Sequence, residues 1–105
     1  MDELISIMAE IGLPSAYDHF AIGESPDPPF ITYLIPESDN FYADSKVYHK
    51  INQVHLELYT GKKDLATEKQ VEDALDAHEI FYDRTEVWIE SEQLYEVLYS
   101  FEMEA

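Results

Sequence analysis

Residues 53–60 read QVHLELYT, and residues 95–104 read YEVLYSFEME. In the first stretch Val54, Leu56 and Leu58 alternate with His55, Glu57 and Tyr59. In the second, Tyr95, Val97, Tyr99, Phe101 and Met103 alternate with Glu96, Leu98, Ser100, Glu102 and Glu104. A period of two is the mark of a strand with one face buried and the other polar. Upstream of the first stretch, Val47, His49 and Ile51 lie on the opposite parity, which predicts one long strand with a bulge or twist near Asn52.

Other segments change period. Leu4, Ile7, Met8 and Ile11 recur at helical spacing behind Asp2, and Gly12 and Pro14 stop the run. A second helix is predicted in KDLATEKQVEDALDAHE. Thr67 with Gln70 fits a capping box, Asp64 offers an alternative cap one turn earlier, and Leu65 is placed as a staple. Val71, Ala74, Leu75 and His78 line one face of it. Glu68, Glu72, Asp73 and Asp76 fall mostly on the other as solvated charge, with Lys69 spaced to pair with Asp73. His78 near the end suits the helix dipole.

The remaining strands are shorter readings. Tyr17 to Ile22 reads as a brief strand, and Gly23 to Pro29 as a proline-rich loop. FITYLI, residues 30–35, is β-branched and aromatic and is stopped by Pro36, with PESDNFYADS as a connector whose Phe41 and Tyr42 could begin the next strand early. Ile80 to Trp88 or Ile89 reads as a strand that a turn at Asp83–Arg84 could break. The order helix, strands, helix, strands gives an α+β fold: a single domain over residues 1–105, with two main helices packed on an antiparallel or mixed sheet.

Charge narrows the function. There are 23 acidic and 6 basic residues among 105, a formal charge of -17. Such a field repels phosphate backbones and anionic membranes, so direct nucleic-acid binding and membrane attachment are not expected. A mimic of nucleic acid is compatible with it. No cysteine occurs, which excludes disulfides and thiolate metal sites. The start, MDELISIMAEIG, lacks the positive region of a secretory signal, and no apolar run approaches the roughly 20 residues that span a bilayer.

Catalysis and metal binding find no support. His49, His55 and Glu57 are candidate ligands, but the two histidines stand about 20 Å apart along an unbulged strand, too far for one metal. Asp18–His19 could be a carboxylate–imidazole dyad, yet neighbours in a strand point to opposite faces. There is no glycine-rich phosphate loop, nucleophile elbow or paired-histidine motif. The expectation is a protein that is not an enzyme, with no catalytic residues, cofactor or metal.

The succession PPFITYL, DNFYADSKVYHKINQVHLELYT, ATEKQVEDALD and EVWIESEQLYEVLYSFEM resembles a family of small structural proteins. They belong to siphophages and prophages of Gram-positive bacteria and act at head–tail joining. The likeness runs from Ala16 onward, and its most specific pieces are residues 40–44, 47–59 and 88–99. It implies a tail-completion, tail-terminator-like or minor tail protein, located in the virion tail or neck and in the host cytoplasm during assembly. The partners it implies are other tail or neck proteins and further copies of the chain in a ring. Tyrosine-rich faces suit interfaces, so Tyr42, Tyr48, Tyr95 and Tyr99 are the candidate assembly residues, with the loop Gly23–Pro29 free to order on contact. The alternative from another class is an acidic DNA-mimic inhibitor of a host DNA-binding protein.

Overall fold

The computed structural model describes residues 2–21, 23–43 and 47–104, with segments 38–43 and 47–50 described by backbone alone. Helix α1 (Asp2–Ile11) is followed by β1 (Ser15–Tyr17), β2 (Phe30–Ala43), β3 (Val47–Thr60), α2 (Leu65–Ala77), β4 (Tyr82–Ile89) and β5 (Leu94–Glu104). The strands form one mixed sheet in the order β1-β2-β3-β5-β4. Only β1 runs parallel to its neighbour, β2. The fold class is α+β, as the periodicities predict.

Both helices pack on one face of the sheet. From that face Ile31, Val54, Leu56, Leu58, Val97, Tyr99 and Phe101 meet Leu4, Ile7, Met8 and Ile11 of α1 and Val71 and Leu75 of α2. The helical stripe of α1 is therefore core, and Gly12, at φ 78°, ends it while its N–H bonds the Met8 carbonyl. Asp64, rather than Thr67, caps α2. Its carboxylate accepts from the Thr67 backbone N–H at 3.1 Å and from the Thr67 hydroxyl at 2.7 Å. Gln70 is thereby freed from the cap and donates instead to the Ile11 carbonyl at the end of α1. Leu65 is exposed and staples nothing.

Several strand boundaries differ from those the sequence suggests. The brief strand is Ser15–Tyr17, ahead of the expected Tyr17–Ile22, because it extends along β2 rather than toward the proline loop. Pro36 does not stop β2. Leu34 pairs with His55 and Glu37 with Gln53, so three steps on β2 span two on β3, and the proline sits in that irregularity, where a ladder can spare an N–H. The bulge thus falls on β2 and not near Asn52, since β3 pairs with β5 without a shift from Ile51 to Thr60. Likewise β4 runs unbroken through Asp83–Arg84.

Beyond Ile51 the pairing of β3 with β5 ends, and residues 47–50 pair only with residues 40–43 of β2. Most of the expected connector is thus an arm of two strands. It accounts for a long dimension of 50 Å and a radius of gyration of 15.0 Å, against about 13 Å for a compact chain of this length.

His78 sits at the C-cap of α2. Its Nδ1 lies 3.2 Å from a Glu3 carboxylate oxygen, and its Nε2 contacts Glu10, so it joins the two helices. The hydrogen bonds to Glu10 and then Glu3 raise its pKa above the usual 6.5. A raised folded-state pKa stabilises the fold below the unfolded value and loses that contribution as pH rises through the folded one. In thermal melts the gap between the parent chain and His78→Gln is therefore wide below about pH 6.5 and closes in alkali. A gap independent of pH would contradict this pairing.

A candidate assembly surface

Partners across an antiparallel ladder share a face, so the register sorts every strand residue. On the helix side, Arg84 of β4 stands opposite Tyr99 of β5. Its guanidinium donates to Glu68, lies 3.7 Å from Glu72 and 3.1 Å from Glu86. Lys63 adds a contact of 2.7 Å to the second oxygen of Glu68 and another to Glu86. Glu68, expected on the solvated face of α2, is only 4% exposed. Two cations thus hold three carboxylates at the join of α2 and β4. Lys69 and Asp73 pair at 2.7 Å on the outside of α2, as their spacing predicts.

Tyr99 belongs to this buried join. It is 0% exposed, it meets Tyr82 edge-on at 5.4 Å, and its hydroxyl donates to Glu72 at 2.7 Å. Burial and the Glu72 carboxylate push its pKa up. Tyr99 is therefore not on a free tyrosine-rich face, contrary to its expected place among the assembly residues: odd-numbered residues of β5 point at the helices, and only those at its ends reach solvent. Tyr95, at one such end, is partly exposed and packs on Trp88 with ring centroids 4.7 Å apart. Tyr42 and Tyr48 pair in register within the arm; their side chains lie outside the described residues, as does that of His49.

Among the described residues the other face of the sheet carries no helix. Across it run Phe30, Thr32 and Leu34 of β2, His55, Glu57 and Tyr59 of β3, Leu94, Glu96 and Leu98 of β5, and Asp83, Thr85 and Val87 of β4. Thr32 donates to Glu57 at 3.0 Å, and the Tyr59 hydroxyl lies 2.8 Å from Glu96 and 3.3 Å from Glu57. Burial, and repulsion from Glu96, raise the pKa of Glu57 against the Thr32 hydrogen bond, which lowers it. At one end the loop joining β1 to β2 lies against this face: Phe20 meets Phe30 edge-on at 5.5 Å, and Phe30 stacks on Tyr59 at 5.1 Å. Loop and face enclose an open groove of about 640 Å³, walled on its far side by Ile89 and Leu94.

The remaining candidates do not converge. Asp18 and His19 do touch, at 3.0 Å, because Asp18 leaves β1 at φ 63° and strand alternation no longer separates them; both are well exposed. His55 faces the open side between Leu34 and Ser100. Among the described residues no cluster of three His, Asp or Glu side chains is arranged to hold a metal. No described helix is long and apolar enough to cross a membrane.

The class defined by this geometry is an α+β domain with one sheet face covered by helices and one open among the described residues. No protein-family model and no curated protein matches the chain. Among solved structures it is similar to a chain of the virion of a native gene transfer agent (GTA) particle, at 13% identity and a TM-score of 0.59. The likeness covers 98% of this chain and 88% of that one, so the whole fold is shared rather than a fragment.

Proposed function

We propose that this chain is a phage or prophage virion-assembly protein. In this reading it is a ring-forming structural subunit that completes or terminates the tail at the head–tail junction, with other tail or neck proteins as partners and no catalytic role. The observation that carries it is the fold shared from end to end with a chain of a virion particle. The resemblance of residues 40–44, 47–59 and 88–99 to siphophage joining proteins supports the same station. The arm with Tyr42 and Tyr48, and the Trp88–Tyr95 pair, supply the contacts between neighbours. A lumen lined with carboxylates lets DNA pass without the counterion release that would hold it.

Purified protein added to growing tail tubes is expected to cap them, stop elongation and show ring symmetry at the capped end. A protein that ignores tubes but blocks a host DNA-binding enzyme, less so as salt rises, would replace this reading with DNA mimicry.

A further inference from the structure

The two faces of the sheet treat their carboxylates differently. On the helix side Glu68, Glu72 and Glu86 share Lys63 and Arg84. On the open side Glu57 and Glu96 approach the same Tyr59 hydroxyl, which has one proton to give. No lysine or arginine reaches either carboxylate among the described residues. Glu57 is partly buried, so its charge is held in a low dielectric beside a like charge, an arrangement that a cation would relieve. Apolar side chains surround the pair: Leu98 opposite Glu57, Val87 opposite Glu96, and the groove floored by Phe30 and Tyr59.

We propose that this open face is a docking surface for a basic segment of a different protein. The segment lays an Arg or Lys head on the Glu57–Glu96 pair and its apolar neighbours into the groove beside Phe20, Phe30 and Leu94. Charge complementarity chooses the occupant. A second copy of the chain would bring a further net charge of -17 to a pair that no lysine or arginine among the described residues reaches, whereas a guanidinium fits two carboxylates with directed, charge-assisted bonds. That the partner is another virion protein rests on the proposed function; its chemistry does not.

The test uses a short extended peptide with one arginine flanked by leucine and phenylalanine, titrated into isotope-labelled full-length protein and followed by NMR. The expected shifts center on Glu57, Tyr59, Glu96 and Leu98. Replacing the arginine by citrulline, or combining Glu57→Gln with Glu96→Gln, should weaken binding about tenfold or more. Asp76→Asn with Glu79→Gln removes the same charge from exposed sites away from the groove and should leave binding unchanged. Equal binding by the citrulline peptide, equal weakening by the control pair, or shifts spread over the helices would overturn the proposal. So would self-association of the free chain that Glu57→Gln with Glu96→Gln strengthens, which would assign the face to a second copy. None of these outcomes bears on tube capping, so failure here leaves the assembly reading standing.

Discussion

Arg84→Met should lower the melting temperature by about 10 °C at neutral pH, for a loss of about 2 kcal/mol at roughly 4–8 °C per kcal/mol in a domain of this size. The mechanism is the stranded charge rather than the lost bond. Glu68 is 4% exposed, and without the guanidinium its partner among the described residues is Lys63, while that of Glu72 is the Tyr99 hydroxyl. Breaking a fully buried pair by removing one partner costs about 3–5 kcal/mol; the loss here falls below that range because Arg84 is 34% exposed at its side chain and Lys63 remains. Adding Glu68→Gln to Arg84→Met removes the uncompensated charge and should recover more than half of the loss. A single substitution that melts within about 3 °C of the parent, well under 1 kcal/mol, would show that the carboxylates are hydrated and not buried.

A larger effect separates the two tyrosines of β5 that sequence reasoning grouped together. Tyr99→Lys should abolish folding, because it removes an aromatic side chain packed with Leu56, Phe101 and Tyr82, whose loss from a core costs about 3–5 kcal/mol on its own, and sets a second cation against Arg84 at the Glu72 carboxylate. Tyr99→Phe keeps the ring and loses only the bond to Glu72, a loss of about 1.5–3 kcal/mol for a hydrogen bond to a charged group. Tyr95→Lys should leave the far-UV circular dichroism and the cooperativity of melting intact, since this ring rests on Trp88 at the open end of the ladder. In tube capping Tyr95→Lys is then informative and Tyr99→Lys is not. A folded Tyr99→Lys would contradict the placement of this strand.

What was legible in the sequence was whatever a single element decides by itself. Leu4, Ile7, Met8 and Ile11 report their stripe through spacing alone, and Val54, Leu56 and Leu58 report their face in the same way. What was not legible needed two elements at once. Glu68 looks like one more carboxylate of an acidic helix until β4 brings Arg84 beside it. Arg84 did carry a signal, because it is the only lysine or arginine after Lys69, and a lone cation in so acidic a stretch has carboxylates within reach. The chemistry of Tyr99 suits an exposed face, whereas the alternation sets it inside with Val97 and Phe101. The Glu57–Tyr59–Glu96 contact depends on register between β3 and β5, which neither strand encodes alone. Pro36 misled because a proline stops a ladder only where the partner requires its N–H.

The order of the strands also dictates the sequence of events in making the protein. β5 lies between β3 and β4, yet it leaves the ribosome after both. Until it arrives, β4 has no neighbour in the sheet, and the apolar row Val54, Leu56 and Leu58 is covered only in part. Synthesis at about 5–20 residues per second leaves that row open for a few seconds, long enough for unpaired edges to meet other nascent chains. Nascent chains halted before Leu94 would therefore be substrates for chaperones and proteases rather than shorter versions of the folded domain. β5 works as a keystone, and the sheet closes only once it has joined β3 to β4.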